Sequence, residues 1–197
     1  LPTGVGGTIT GTVTAASSGD PVGRILVEAL RVKADGSTVT VASAATQSDG
    51  TYQVSGLFPG SYLLRLSAAG VIKTSYYPDV SSLAKAQSLT VQANKITTDG
   101  NAVVTGLPAT ITGKVDPGDT TTSVTTTVST RLLKQGAGQK VTIPDVKTKA
   151  DGAYESYSIP NLPAPGTYEL TFTTPGYQVS TVQVDVTWTS TPRLGLV

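Results

Sequence analysis

Thr8-Ile9-Thr10-Gly11-Thr12-Val13 returns 102 residues later as Thr110-Ile111-Thr112-Gly113-Lys114-Val115. Both stretches place Ile, Gly and Val at every second position with polar residues between, the pattern of a strand buried on one face. Working outward, Asp49-Gly50-Thr51-Tyr52 recurs as Asp151-Gly152-Ala153-Tyr154 at the same offset. Pro59-Gly60-Ser61-Tyr62 recurs as Pro165-Gly166-Thr167-Tyr168, 106 residues on. A period of about 100 residues is the size of a whole domain, so the repeat reads as a duplicated β-sandwich.

Alternation predicts seven strands in each copy. In the first they fall at 8–13, 24–33, 38–46, 51–55, 62–68, 88–92 and 102–105. In the second they fall at 109–115, 124–133, 139–148, 153–159, 168–174, 179–186 and 194–197. The expected architecture is all-β, two tandem seven-stranded immunoglobulin-like or prealbumin-like sandwiches. Residues 1–7 form an N-terminal extension, 8–106 repeat 1 and 107–197 repeat 2. The short junction Thr105-Gly106-Leu107-Pro108 predicts a stiff connection. Tyr76-Tyr77-Pro78-Asp79 and the residues to Ala86 break the alternation, and one helical turn is expected there. The tyrosines of the repeated motifs, Tyr52, Tyr62, Tyr154 and Tyr168, are expected in cores or at sandwich corners.

Composition agrees with strands and turns. The 197 residues include 33 threonines, 21 glycines and 12 prolines, and β-branched side chains favour the pleated backbone that Gly and Pro punctuate. A net charge of +1, without a basic run, gives no footprint for nucleic acid. Zero cysteine removes disulfides, thiolate nucleophiles and zinc–thiolate sites; zero histidine removes the usual general base. No apolar stretch reaches the roughly 20 residues of a membrane-spanning helix. The lack of any methionine reads as a processed or excised chain.

The turn motifs carry a resemblance. Gly11-x-Val13, Gly19-Asp20-Pro21-Val22, Ser48-Asp49-Gly50-Thr51-Tyr52 and Leu57-Phe58-Pro59-Gly60-Ser61-Tyr62, closing on Ala68-Ala69-Gly70, resemble the carboxypeptidase regulatory-like family. That family is a prealbumin-like sandwich related to the B-type repeat domains of bacterial surface adhesins. The resemblance covers nearly all of repeat 1. Repeat 2 keeps Gly113, Asp151-Gly152-x-Tyr154 and Pro165-Gly166-x-Tyr168, with Asp116-Pro117-Gly118-Asp119 where repeat 1 has Gly-Asp-Pro-Val. The resemblance implies a secreted or cell-surface location and a non-enzymatic role as stalk, spacer or binding module. It names no ligand.

Three sets of residues are candidates for function. Tyr76, Tyr77, Tyr157, Tyr177 and Trp188 lie outside the repeated motifs and could stack on sugar rings, with Tyr76, Tyr77 and Trp188 preferred. Leu1 and Val5 of the leader, with Leu194, Leu196 and Val197 of the last strand, are candidates for self-association by strand addition. Lys114 on the first strand of repeat 2 is examined for an intramolecular Lys–Asn cross-link, but the alternation turns it to solvent and no asparagine stands on the last strand. Asp116, Asp119, Asp145 and Asp151 read as turn formers, so no metal is expected, and no cofactor. The reading is a non-catalytic extracellular structural or adhesive surface protein, a stalk segment or the subunit of a self-assembling filament. The alternatives are a carbohydrate-binding accessory module of a larger secreted protein and a regulatory domain packed on a catalytic partner. The partners expected are further copies joined in a homo-oligomer or filament, a polysaccharide or another surface protein; nucleic acid and membrane insertion are not expected.

Overall fold

The structure, a computed structural model, describes residues 6–116, 118, 124–138, 140–188 and 193–196. The chain divides into two compact units, Leu1–Thr105 and Gly106–Val197. Each contains two β-sheets enclosing its own apolar core.

In the first unit β1 (Gly7–Ala15), β2 (Leu26–Val32), β3 (Thr38–Ala45), β4 (Thr51–Leu57), β5 (Gly60–Ser67), β7 (Leu89–Val91) and β9 (Ala102–Val104) correspond to the seven expected strands. Two further pieces of two residues each are present, β6 (Ser75–Tyr76) and β8 (Ile96–Thr97). They escape alternation because two residues carry no period. One sheet runs β4-β1-β8 with β9 also on β1; the other runs β3-β2-β5-β6 with β7 on β5. Ile9, Val13, Val27, Leu64, Leu66 and Val104 are wholly buried between them. The segment expected to form a helical turn contains a single 3-10 turn at Leu83–Lys85.

The second unit holds β10 (Ala109–Val115), β11 (Thr127–Leu132), β12 (Val146–Lys147), β13 (Lys149–Asp151), β14 (Tyr154–Leu162), β15 (Gly166–Thr173), β16 (Ser180–Val186) and β17 (Arg193–Leu196). Its sheets are β13-β14-β10-β17 and β12-β11-β15-β16. The strand expected over 139–148 is reduced to Val146–Lys147, paired with Thr127 and Val128. Pro144 has no N–H to give a ladder. The alternating Val141 and Ile143 instead turn inward and pack on the core from an irregular segment.

The tyrosine expectation needs correction. Tyr52, Tyr62 and Tyr168 are buried, but Tyr154 is 39% exposed and Tyr157 takes the interior place at 4%. Cross-strand pairing explains the exchange: Tyr52 stands opposite Gly11, and Tyr157 opposite Gly113. Unit 2 inserts three residues between these landmarks relative to unit 1. They form a hairpin of their own, Lys149–Asp151 against Tyr154–Ser156, which carries the Asp-Gly turn and Tyr154 outward.

Both first ladders contain a bulge at the same place. The register slips between Gly7 and Ile9 opposite Leu57 and Val54, and between Ala109 and Ile111 opposite Leu162 and Ile159. The extra residue adopts left-handed backbone, Gly56 at φ 75° in one unit and Asn161 at φ 60° in the other. Glycine and asparagine are the residues that enter this region at least cost.

Two outcomes follow from this architecture. Asn161→Gly should leave unfolding free energy within about 0.5 kcal/mol, whereas Asn161→Val should cost about 1–2 kcal/mol, measured by urea denaturation. Residues 1–105 and 106–197 produced separately should each give a β-type circular dichroism spectrum and a cooperative melt; failure of both halves to fold, with the whole chain folding, would refute independent units.

Candidate functional site

Several polar groups of the interior are engaged, while Ser75 Oγ, Thr130 Oγ1 and Tyr157 Oη are buried without a hydrogen-bond partner among the described residues. Tyr52 Oη donates to the Gly100 carbonyl at 2.5 Å, and Tyr62 Oη to that of Phe58 at 2.7 Å. Tyr168 Oη donates to the Pro163 carbonyl. Burial raises the Tyr52 and Tyr168 phenols above the usual range, with a smaller contribution to Tyr52 from the Tyr77 phenol. Burial pushes Tyr157 up to about 12. Its ring packs edge-on to Phe172 with centroids 5.5 Å apart. The Tyr52, Tyr62 and Tyr168 hydroxyls tie loops and turns to the sheets.

Several acids are occupied within the fold. Asp35 and Asp49 each accept the backbone N–H and the hydroxyl two residues on, from Ser37 and Thr51, and these bonds hold both carboxyls below the ordinary carboxylate range. Asp116 accepts the Gly118 N–H. Glu155 is buried, with the Thr148 hydroxyl donating to it and the Thr126 N–H at 3.4 Å. Among the described residues no group of three or more acidic, cysteine or histidine side chains is placed to hold a metal.

Glu28 and Arg65 form a two-point ion pair across β2 and β5, at 2.7 and 2.8 Å, with Thr40 donating to the same carboxylate. The bonds from Arg65 lower the Glu28 carboxyl against an opposing effect of burial. Lys114 is half exposed, 2.8 Å from Asp151 and 5.7 Å from the Tyr154 ring centroid.

The aromatic candidates are distributed between the units. Tyr76 and Tyr77 are half-buried in unit 1, where Tyr76 pairs with Arg65 and exchanges backbone hydrogen bonds with Val80. The Tyr77 N–H donates to the Leu64 carbonyl, and a cis bond joins Tyr77 to Pro78. Trp188 is half-buried in unit 2 and packs over Gly106, where a β-carbon would lie 2.9 Å from Trp188 Cζ3. That contact gives Gly106 a packing role beyond the linker role expected of it. Of the association candidates, Leu1, Val5 and Val197 lie outside the described residues. Leu194 and Leu196 belong to β17, which runs parallel to β10 and closes its own sheet, Leu196 opposite Lys114.

The edges of the sheets differ in protection. β13 carries Lys149 and Asp151, β16 carries Asp185, and β4 is bent by its bulge. Charges and bulges of this kind discourage pairing with foreign strands. β3 has neither a charge nor a proline over its 8 residues, although its ladder with β2 is broken by a bulge at Val41, and Val39 and Val41 are 40% and 46% exposed. It is the outermost strand of its sheet.

A model of the carboxypeptidase regulatory-like domain matches residues 8–132, which take in unit 1 and the first two strands of unit 2. No curated protein matches the sequence. Among solved structures the chain is similar to the Bacillus anthracis TIE protein, at 14% identity and a TM-score of 0.42, covering 98% of this chain and 34% of that one. The chain thus spans about a third of that protein's length. It is similar to the shaft pilin SpaA from Lactobacillus rhamnosus GG, at 12% identity and a TM-score of 0.39, covering 97% and 96% of the two chains. For BcpA, the major pilin subunit of Bacillus cereus, the values are 11% and 0.40, with 90% of this chain and 67% of that one covered.

The Glu28–Arg65 pair generates a pH dependence. Its carboxyl is lowered on folding, so the stability it supplies is complete above the unfolded value of about 4.5 and disappears as pH falls through the lower folded value. Glu28→Gln should lose about 1 kcal/mol at pH 7, and less as the pH is taken down, because Arg65 is partly exposed. Urea midpoints at pH 7, 4.5 and 3 check this.

Proposed function

The chain belongs to the carboxypeptidase regulatory-like domain family, and from that premise we propose that it serves as a non-catalytic structural or adhesive module of a surface or secreted protein. Copies join by strand addition. The observation that carries the reading is the uncharged edge of β3, eight residues without a charge or proline, opening on the strand formers Thr38 to Val41 and presenting two exposed valines. Such an edge presents a row of backbone donors and acceptors over about 25 Å. The entering strand is the N-terminal segment of another copy, which carries Leu1 and Val5. Donor and acceptor are different surfaces, so the contact is head-to-tail and extends into a filament unless the rotation closes it.

Absence of charge favours this occupant. The leader contains no ionisable side chain up to Thr14, and β3 contains none, so neither partner loses ion hydration when the two pair. The engagement of the acids in turns and ion pairs supports a scaffold rather than a reaction centre.

Sedimentation velocity across a concentration series should show association that Val41→Lys abolishes, with a melting free energy within about 0.5 kcal/mol of the parent. Deleting residues 1–6 should have the same effect. A chain that is monomeric at every concentration, or an oligomer indifferent to both changes, would remove the reading.

A further inference from the structure

One edge of β1 meets two short parallel partners, β8 at Thr8 and Ile9, and β9 from Val13 to Ala15. Between them residues 98–101 leave the ladder. The interruption opens a cleft of about 510 Å³ whose walls include Thr10, Thr12, Gln47, Gln53, Thr98 and Asn101. Thr12 and Asn101 also line a second cleft of about 380 Å³, bounded by Pro78, Asp79, Ala102 and Val103. The two are contiguous through those shared residues.

We propose that this double cleft is a binding site for a short neutral oligosaccharide. Its lining is built from hydroxyls and carboxamides, which both donate and accept, as sugar hydroxyls do. No lysine or arginine lines either cleft, and Asp79 is the one acidic side chain. That balance disfavours phosphates and anionic glycans and leaves an acceptor for sugar O–H groups. Pro78 and Val103 supply apolar surface for the C–H face of a pyranose ring.

The site is held in shape before a ligand arrives. Asn101 Oδ1 accepts the Thr12 N–H at 2.8 Å, which orients the carboxamide and leaves its two N–H donors without a partner among the described residues. Thr10, Thr12 and Thr98 have no side-chain hydroxyl bond among those residues, and Gln53 uses its amide nitrogen on Ser55 at 2.9 Å, keeping its oxygen. Tyr52 fixes the Gly100 carbonyl beneath, and a β-carbon on Gly11 would collide with that same carbonyl. A floor fixed in this way reduces the ordering cost of binding. Tyr52 is the one aromatic residue of the lining and its ring is buried, so polar contacts carry the binding.

The site stands apart from strand addition at β3, so either proposal can fail alone. Amide chemical shifts of the full chain are followed while cellotetraose, maltotetraose and xylotetraose are added to about 20 mM, with tetragalacturonate as the anionic comparison. The expected result is movement of the Gly11, Thr12, Thr98 and Asn101 amides with at least one neutral sugar and none with the anionic one. Asn101→Asp keeps the oxygen that holds Thr12 and removes both free donors; it should weaken binding about five-fold at unchanged melting temperature. Gln47→Ala, on an exposed residue, should weaken it as well, and supplies the test if Asn101→Asp unfolds. No shift with any neutral sugar, shifts centred on Trp188, or equal response to tetragalacturonate would each overturn the proposal.

Discussion

A tyrosine facing a glycine across the first ladder sets the register of both sandwiches. Tyr52 lies opposite Gly11 and Tyr157 opposite Gly113, and in unit 2 a β-carbon on Gly113 would run into the tyrosine ring itself. The Tyr157 ring fits only because Gly113 has no side chain, and in unit 1 the bare Gly11 makes room for the Gly100 carbonyl that Tyr52 holds. Slipping the pairing by one residue would turn Ile9 and Val13, or Ile111 and Val115, toward solvent. The bulge beyond, at Gly56 or Asn161, then re-aims the strand so that Leu57 or Leu162 is buried as well. Glycine, tyrosine and left-handed residue act together, which is why the same ladder survives in units whose other elements have diverged.

The same constraint explains where sequence reading succeeded and where it slipped. The strands of unit 1 are visible in alternation because each lies with one face on the core, and Ile9-x-Gly11-x-Val13 writes that face directly. Matching the copies by their Asp-Gly turns placed Tyr154 in the interior. A turn, however, is a local device that can move out along a lengthened hairpin without disturbing the sheet. The ladder partner of Gly113 cannot move, and it is Tyr157. An Asp-Gly pair reports a reversal of the chain; only the glycine opposite reports which tyrosine is buried.

The segment leading to β12 shows the opposite failure. Val141 and Ile143 alternate as a strand should, and their side chains do reach the core. Burial of alternate residues needs only an extended chain, while ladder hydrogen bonds need an N–H at each outward position, which Pro144 lacks. The consequence is a cleft of about 460 Å³ between this segment and β14, lined by Ile159, Pro160 and Pro163 among others. In unit 1 the corresponding strand is β3, paired with β2 from Thr38 to Ala45 around one bulge at Val41.

Function was harder to read than fold because the groups that matter are ordinary ones in unusual places. The aromatics singled out by sequence each meet the fold: Tyr77 through its backbone, Trp188 through Gly106. The cleft beside β1 is made of threonines, glutamines and an asparagine that composition explains as strand and turn residues. Their meaning comes from the break between β8 and β9, and those two strands together hold only five residues. Segments so short carry almost no periodicity, so the gap between them could not be inferred from alternation. Asn101 illustrates the point, since its carboxamide serves the fold with one atom and faces the cleft with the others. A residue with such divided duty is recognised only when its partner, the Thr12 N–H, is located in space.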